Sequence, residues 1–264
     1  MSGEWMKNLT CFFDSRAEAI MKERITLDML CYASGRDSRF WDERTYKNLL
    51  DTISPQLDLD KNLTLLEVGC AAGFLAQGLS AMVSSYTGVD ISRAAIKAAR
   101  RLKLANASFK CASGDRLPFK EDTFDRVVSY DVFTNLPEME YAARIVKEMY
   151  RVVKPGGKVL VGSLADENTK DEHYRIAAEV TIRFDSEKGK PTQPDYKPGI
   201  FERAKTLFRA GKNKSSPNVS CYFFRRGDFM TLGELLGAQT DIYGVNSLNP
   251  YFGTRFNIVY TKPL

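Results

Sequence analysis

A run of very small residues between an apolar segment and a helical pattern is the stretch of this sequence best suited to chemistry. Leu63 to Val68 is apolar enough for a buried strand and too short for a helix. The segment from Gly69 to Gly73, of sequence GCAAG, follows, and a helical pattern begins at Phe74. A strand, a small-residue turn and a helix N-terminus expose backbone N–H groups and the positive end of a helix dipole. The stretch therefore predicts a binding site for a polar ligand.

An acidic residue ends the second predicted strand. That strand covers Tyr86 to Val89, and Asp90 follows it about 20 residues after the turn. A carboxylate at this position of a doubly wound sheet can accept hydrogen bonds from both hydroxyls of a ribose. The alternative role for Asp90 is a cap for the helix expected after Ser92. Together with the small-residue turn, Asp90 predicts a nucleoside-cofactor site.

Strands and helices alternate along the chain and would position these residues. Ser92 is suited to cap a helix from Arg93 to Leu104, and further helices are predicted from Pro137 to Val153 and from Asp228 to Leu236. Further strands are predicted at residues 107–112, 124–129, 158–162, 240–245 and 255–261. This alternation is typical of an α/β fold with a mostly parallel sheet and right-handed crossovers.

The chain of 264 residues is long enough for one α/β domain with additions. The additions are a helical N-terminal lid at residues 1–60 and an insertion at residues 164–226 that would cap the substrate site. A long irregular segment of this kind inside a compact domain usually serves function or is disordered. The cofactor-binding core is predicted at residues 61–163, and residues 227–264 would complete the sheet.

The N-terminal region contains two stretches with apolar residues at helical spacing, from Arg16 to Cys31 and from Phe40 to Ile53. A polar loop from Ser34 to Arg39 lies between them. One interpretation makes this loop a solvated connection. The other makes it part of the lid, with an arginine or tyrosine that meets the carboxylate of the cofactor. The residues alone leave both interpretations open.

Composition argues against several classes of protein. The 38 basic and 33 acidic residues give a net charge of +5, which is too balanced to argue for nucleic acid. No apolar run approaches the ~18–20 residues of a membrane span, and the N-terminus lacks the pattern of a signal peptide. The five scattered cysteines favour reduced thiols in a cytoplasmic protein. With only one histidine, they also argue against a metal site.

Four motifs in the right order resemble the class I S-adenosylmethionine-dependent methyltransferases, in their UbiE-like small-molecule branch. The motifs are LLEVGCAAG, GVDIS, GDRLPF with FDRVVSYDVFTNLP, and RVVKPGGKVLV. The resemblance covers residues 40–163 well and residues 227–262 by architecture only. It implies a Rossmann-like, seven-stranded, mostly parallel sheet with helices on both faces. It also implies S-adenosylmethionine as the cofactor and S-adenosylhomocysteine as the product.

The same resemblance implies a role for the residues of the first motif. Glu67, Gly69, Ala71 and Gly73 would wrap the methionine moiety of the cofactor, mainly through backbone atoms. Ala71 stands where the family usually has glycine, so its φ must be compatible with the turn. Strand–helix packing is the structural alternative for the two glycines.

The resemblance also assigns residues to the nucleoside. Asp90 would bind the ribose hydroxyls, and Ile91 would lie beside the adenine. Asp115 would accept a hydrogen bond from the exocyclic amine of the adenine, with the backbone of Arg116 nearby. The alternative for Asp115 is a plain turn residue in Gly-Asp-Arg.

Methyl transfer from a sulfonium is an in-line displacement in which the protein mainly positions the reactants and needs no metal. By the resemblance, Ser129 and Tyr130 would flank the sulfonium and form the floor of the acceptor site, although Tyr130 could serve packing only. A hydroxyl acceptor would need a base, and His173, the only histidine, closely follows the fifth strand. A surface histidine on an acidic helix start is the alternative.

The favoured function is methyl transfer to a small molecule, such as a natural product, sugar or lipid precursor, with O- or N-methylation favoured over C-methylation. The stretch at residues 203–226 has seven Lys/Arg and no Asp/Glu, which favours a solvated charged loop, with an anionic acceptor as the functional alternative. The alternatives are a nucleic-acid methyltransferase that uses this stretch and a non-catalytic, cofactor-binding partner subunit. A dinucleotide oxidoreductase is disfavoured because the turn lacks G-x-G-x-x-G.

Overall fold

The computed structural model describes residues 2–21, 24–36, 41–177 and 221–264. Its strands are β1 Thr64–Val68, β2 Ser85–Asp90, β3 Ala107–Cys111, β4 Phe124–Tyr130, β5 Val153–Ala165, β6 Gln239–Gly244 and β7 Arg255–Thr261. They form one seven-stranded sheet in the order β3-β2-β1-β4-β5-β7-β6. The predicted α/β fold with a mostly parallel sheet is therefore confirmed.

The order of the strands decides where a ligand can bind. β1 pairs in parallel with β2 and β4, and the parallel pairing continues outward to β3 and β5. β7 lies antiparallel between β5 and β6. Because β1, β2 and β4 are adjacent and parallel, their carboxyl ends meet at one edge, where sheets of this kind bind ligands. The small-residue turn, Asp90 and Tyr130 all lie at these ends.

Helices cover both faces of the sheet. Their bounds are α1 Ser2–Ala19, α2 Leu27–Ala33, α3 Glu43–Leu57, α4 Ala76–Leu79, α5 Arg93–Arg100, α6 Met139–Val152 and α7 Arg226–Leu236, and residues 170–177 are also helical. One buried apolar cluster packs α2, α3 and α5 on one face, and a second packs α6 and α7 on the other. Burial of these two layers is the main favourable term in folding. None of the described helices is long and apolar enough to cross a membrane.

The N-terminal region differs from its predicted division into helices. The prediction of one helix from Arg16 to Cys31 is wrong, because α1 ends at Ala19 and a separate helix begins after Thr26. The hydroxyl of Thr26 accepts a hydrogen bond from the backbone N–H of Met29 at 3.4 Å, which makes Thr26 the N-cap of α2. A capping residue inside an apolar pattern thus divides one predicted helix into two.

Of two predicted helix caps, one is observed and the other is not. Ser92 caps α5 as predicted: its hydroxyl accepts from the N–H of Ala95 at 2.9 Å and donates to Asp14 at 2.5 Å, which ties α1 to α5. The prediction that Asp228 caps the last helix is wrong, because Arg225 is the N-cap and Asp228 lies in the first turn. There its negative charge still favours the positive end of the helix dipole.

The insertion predicted at residues 164–226 is described only at its two ends. β5 extends to Ala165, and an isolated parallel bridge then pairs Asp166 with Phe224. The segments on either side of the insertion are therefore held together at Asp166 and Phe224. Residues 178–220 lie outside the described residues, and they include most of the basic stretch at residues 203–226.

Candidate functional site

The turn after β1 contains three residues with positive φ: Gly69 at 85°, Ala71 at 44° and Gly73 at 90°. The backbone N–H of Gly69 donates to the carbonyl oxygen of Val89 at 2.8 Å, which ties the turn to the end of β2. A Cβ on Gly69 would lie 2.3 Å from Cγ2 of Val132, so both the conformation and the close approach require glycine. Ala71 keeps a left-handed conformation in spite of its methyl group.

Asp90 holds the turn from the neighbouring strand. Its Oδ2 accepts from the backbone N–H of Ala71 at 2.9 Å, and its Oδ1 accepts from the N–H of Ser92 at 2.8 Å. Burial raises the pKa of Asp90 above its ordinary value. Each carboxylate oxygen has a second lone pair, so two further acceptor positions remain for hydroxyl donors. Asp90 is thus both a structural tie and an acceptor that lines the adjoining cavity.

A cavity lies at the carboxyl ends of β1, β2 and β4. Its apolar wall is formed by α1 and α6, with Trp5, Met6, Leu9, Phe13, Tyr141 and Ile145. The indole N–H of Trp5 donates to the carbonyl oxygen of Asn135 at 3.0 Å, which fixes α1 against the loop after β4.

Three charged residues from distant segments meet at the β4 side of the cavity. Nη2 of Arg36 lies 2.9 Å from Oδ2 of Asp131, and Nη1 of Arg255 lies 2.9 Å from Oδ1. Arg36 and Asp131 line the cavity. Asp131 follows β4 and Asp90 ends β2, so with β1 between them they lie about 10 Å apart at the usual strand spacing. The cavity has an acceptor suited to a ribose on one side and a net positive cluster suited to a carboxylate on the other.

Glu67 is not among the residues that line the cavity. Its side chain is buried, and Oε2 accepts a hydrogen bond from the hydroxyl of Tyr86. Burial raises the pKa of the Glu67 carboxyl to about 7, while the hydrogen bond from Tyr86 lowers it. Contact between Glu67 and a cofactor stays a prediction, and the structure shows Glu67 as a buried partner of Tyr86.

The residues predicted around the nucleoside are only partly brought together. Ile91 lines the cavity beside Asp90. Asp115 accepts a hydrogen bond from the hydroxyl of Ser113 at 2.5 Å, and Ser113, not Asp115, lines the cavity. Arg116 is exposed outside the cavity, and its N–H donates to the carbonyl oxygen of Ser113.

Ser129 and Tyr130 are both buried at the end of β4, and only Tyr130 lines the cavity. Within the described part of the chain, neither the hydroxyl of Ser129 nor that of Tyr130 has a hydrogen-bond partner. Burial raises the pKa of the Tyr130 phenol well above its ordinary value. Because Tyr130 lines the cavity, it is placed to contact a ligand there.

His173 is 4% exposed, so the alternative of a surface histidine is wrong. Its ring stacks on Tyr251 at 4.5 Å between centroids, and its Nδ1 lies 3.2 Å from the hydroxyl of Thr254. Burial and, second, the charge of Arg255 lower the pKa of His173 to about 4. The residue does not line the cavity. Its stacking partner Tyr251 lies 4.2 Å, at the ring centroid, from the guanidinium carbon of Arg255, which pairs with Asp131.

In the ranges that the structure describes, no group of three or more His, Cys, Asp or Glu side chains is arranged to hold a metal ion. The five cysteines, at positions 11, 31, 70, 111 and 221, form no disulfide with one another in the described structure.

Several residues of the cavity were not predicted as site residues. The α1 wall had a signal, because Trp5, Leu9 and Phe13 recur at a four-residue spacing that suits one helix face. Asp131 had a weaker one, since it directly follows a buried strand at the binding edge. Arg255, which lies outside the cavity and contacts Asp131, had none, because Asp131 lies 124 positions away.

Comparison with known proteins agrees with this geometry. Residues 66–161 match the family model described as a methyltransferase domain. The Sterol 4-C-methyltransferase strm-1 of Caenorhabditis elegans is 31% identical over 145 residues, which cover 50% of this chain and 42% of that protein. The ubiquinone biosynthesis O-methyltransferase of Nitrosococcus oceani is 30% identical over 164 residues, which cover 55% of this chain and 65% of that protein. The chain thus spans less than two thirds of the length of these curated relatives.

Solved structures show the same fold. A putative S-adenosyl-L-methionine-dependent methyltransferase of Methanococcus maripaludis has a TM-score of 0.55 and 17% identity, over 92% of this chain and 98% of that chain. A chain of the complex between the Haloferax volcanii Trm112 methyltransferase activator and a putative methyltransferase has a TM-score of 0.59 and 15% identity, over 92% and 100%. Residues 66–161 therefore match a methyltransferase domain, and the fold is that of solved structures described as S-adenosylmethionine-dependent methyltransferases.

Proposed function

We propose that this protein transfers the methyl group of S-adenosylmethionine to a small-molecule acceptor. The observation that supports this most strongly is the cavity between Asp90 and the Arg36–Asp131 pair. A nucleoside with a charged amino-acid tail needs a ribose acceptor and a separate charged site, and the cavity has both. Gly69 lines the cavity, so the turn after β1 presents backbone to a ligand there.

Residues of the cavity would hold the cofactor along its length. Asp90 would accept from the ribose hydroxyls, and Ile91 and the segment with Asp115 would adjoin the adenine. The turn with Gly69, Ala71 and Gly73 would contact the methionine moiety. Arg36 would bind the carboxylate, which favours the lid interpretation of the loop at residues 34–39. When bound, the cofactor supplies a methyl group on a positively charged sulfur.

The side chains around the cavity would prepare the in-line transfer. The apolar wall from α1 would exclude water and fix the direction of approach. Tyr130 would form the floor beside the reacting centre. His173 is proposed as the base for a hydroxyl acceptor; its pKa, lowered to about 4, keeps it neutral near pH 7 but also makes it a weaker proton acceptor than an ordinary histidine.

The acceptor is proposed as a small natural product, sugar or lipid precursor that is methylated on oxygen or nitrogen. The name of the Nitrosococcus oceani relative includes O-methylation, which supports the oxygen acceptor, whereas that of the Caenorhabditis elegans relative includes C-methylation, which opposes it. An anionic acceptor is proposed from the basic stretch at residues 203–226. We also propose that residues 1–60 act as the lid, residues 61–163 as the cofactor core, residues 164–226 as the cap and residues 227–264 as the completion of the sheet. A cytoplasmic location is proposed from the five scattered cysteines.

Transfer of labelled methyl from S-adenosylmethionine to a fractionated extract of the source organism tests this proposal. We expect label in the small-molecule or lipid fraction, and less of it for the Asp90→Ala variant at the same cofactor concentration. Label in nucleic acid would replace the proposal with the nucleic-acid alternative. Cofactor binding without any label would favour the non-catalytic partner subunit.

Substitution of His173 tests the base in the same assay. If His173 takes the proton of a hydroxyl acceptor, His173→Ala lowers turnover about 10²-fold or more. The affinity for S-adenosylhomocysteine should stay unchanged, since His173 does not line the cavity. An undiminished rate would remove His173 from the mechanism and favour an acceptor that needs no base.

A further inference from the structure

Arg255 does not line the cavity, but it contacts the carboxylate of Asp131, which does. Asp131 divides its two oxygens between two arginines: Oδ2 accepts from Nε of Arg36 at 3.1 Å, and Oδ1 accepts from Nη1 of Arg255 at 2.9 Å. Arg36 and Asp131 line the cavity, whereas Arg255 lies behind them on β7. Each oxygen of Asp131 therefore has its own cation.

The same nitrogen of Arg255 fixes two strained backbone positions. Asp131 has a φ of 60° and Ser163 a φ of 62°, and neither is a glycine. These residues follow the paired positions Tyr130 and Gly162 on the neighbouring strands β4 and β5. Nη1 of Arg255 lies 2.9 Å from both Oδ1 of Asp131 and Oγ of Ser163. Strained non-glycine residues persist where their surroundings hold them, and they concentrate at functional sites.

The cluster has a surplus of positive charge. Arg36 and Arg255 carry two positive charges and Asp131 one negative charge, so the sum is +1. The three side chains are only 10%, 12% and 15% exposed, in the order Arg36, Arg255 and Asp131. Few water molecules reach such groups, so the surplus charge is poorly solvated and attracts an anion.

The geometry also decides which part of Arg36 stays available. Asp131 contacts Arg36 through Nε and Nη2, while Nη1 of Arg36 has no hydrogen-bond partner among the described residues. Without Arg255, Oδ1 would lose its partner and Asp131 could turn to take Arg36 with both oxygens, as carboxylates commonly do with guanidinium groups. The charge of the cluster would then fall to zero.

We propose that Arg255 is a positioning residue for the amino-acid end of the cofactor. It holds Oδ1 of Asp131, and through Asp131 it keeps Arg36 turned toward the cavity with a net positive charge for the carboxylate. The proposal rests on the proposed function, because it needs S-adenosylmethionine in this cavity. It assigns to a residue of the last strand a part in recognition of the cofactor.

Calorimetry with two ligands tests the proposal. S-adenosylhomocysteine has the carboxylate, whereas 5′-methylthioadenosine has the same nucleoside and sulfur without the amino-acid part. We expect Arg255→Met to weaken binding of S-adenosylhomocysteine at least about tenfold, the usual size for a lost charge-assisted hydrogen bond. Binding of 5′-methylthioadenosine should change by less than about twofold. Arg226→Met is the matched control, because Arg226 pairs with Asp166 instead of Asp131. It should leave both affinities unchanged.

Two further variants protect the test from a folding defect. Arg255→Lys keeps the charge with one point of contact and should show a smaller loss with the same ligand preference. In an Arg36→Met background, Arg255→Met should cause no further loss for S-adenosylhomocysteine, because Arg255 acts through Arg36. Additive losses in this double variant would contradict the proposal.

The outcomes separate the proposal from the proposed function. Equal weakening of both ligands in Arg255→Met and Arg255→Lys would show a general structural role and overturn the inference. Unchanged binding of both ligands would overturn it as well. If the wild-type protein binds neither ligand, the proposed function fails, and this inference fails with it.

Discussion

The two sides of the cavity are built in different ways. On the β2 side, Asp90 takes its hydrogen bonds from Ala71 and Ser92, 19 and 2 positions away. On the β4 side, Asp131 takes its partners from Arg36 and Arg255, 95 and 124 positions away. On the first side the donors are backbone N–H groups, one in the turn after β1 and one two residues after Asp90. The second uses charged side chains from three segments that only the complete fold brings together.

This difference determines what each side contributes. The backbone donors around Asp90 are present in any chain that forms the turn, so that side serves ligand binding at little cost to folding. The ion cluster at Asp131 buries three charges, and such clusters are sensitive to the loss of one partner. We therefore expect substitutions on the β4 side to change stability as well as binding of the cofactor carboxylate, and substitutions on the β2 side to change mainly ligand affinity.

The largest effect is expected for Asp131→Ala. Removal of this carboxylate leaves Arg36 and Arg255 close together, mostly buried and without their counter-charge. Removing one partner from a buried ion pair costs about 3–5 kcal/mol, so the free energy of unfolding should fall by that amount in urea titrations. Asp51→Ala, on the exposed side of α3, should leave it unchanged. A loss below about 1 kcal/mol would show that solvent screens the cluster.

The pH dependence of stability tests the effect of burial and of the Arg255 charge on His173. The pKa of His173 falls from an ordinary 6.5 to about 4, by burial and then by the charge of Arg255. Between these values the unfolded chain binds a proton that the folded chain does not, so stability is lost as pH falls from 6.5 toward 4. The full loss is roughly 3 kcal/mol at most.

His173→Phe keeps an aromatic ring against Tyr251 and removes the titrating group. The unfolding free energy of this variant should be less dependent on pH between 6.5 and 4 than that of the wild type, as urea titrations at several pH values would measure. Equal slopes for both proteins would mean that His173 takes up its proton in the folded state near its ordinary pKa.

A smaller effect, on affinity, is expected for Asp90→Ala. Both S-adenosylhomocysteine and 5′-methylthioadenosine should bind at least about tenfold more weakly, because both contain the ribose whose hydroxyls this carboxylate would accept. This equal loss contrasts with the ligand-specific loss expected for Arg255→Met. Unchanged affinity in calorimetry would reject the ribose assignment and leave Asp90 as a tie between the turn and α5.

The smallest effect is expected for Ser92→Ala. The substitution removes the N-cap of α5 and the donor to Asp14, and caps of this kind contribute about 1 kcal/mol. The thermal midpoint should fall by a few degrees. If the loss instead exceeded that of Asp131→Ala, the contrast between the two sides of the cavity would be wrong.

Particular residues show how far the sequence could predict this molecule. β7 was predicted at residues 255–261 and is observed there, because its alternating and β-branched residues are a local property. Ser92 was found as a cap for the same reason. The break between α1 and α2 was missed, because apolar residues continue at helical spacing through a segment in which Thr26 begins a new helix.

The site divides in the same way. The turn and Asp90 could be predicted, since their contacts lie within a short stretch of chain. Arg36 was one of several polar residues in a loop with two open interpretations, and only its contact with Asp131 distinguishes it. Arg255 could not be predicted, because no local pattern indicates that its partner ends a strand on the other half of the chain. His173 was identified as a candidate, but its burial depends on Tyr251 and Thr254, which lie about 80 positions away.

Gly69 has a consequence for the order in which this sequence can change during evolution. The absent side chain is required twice: by a φ of 85°, and by Cγ2 of Val132 at 2.3 Å from where a Cβ would lie. A smaller residue at position 132 would remove the steric conflict but not the conformational one. No single preparatory substitution at 132 therefore makes another residue acceptable at 69. Two independent requirements, one conformational and one steric, therefore oppose substitution of Gly69.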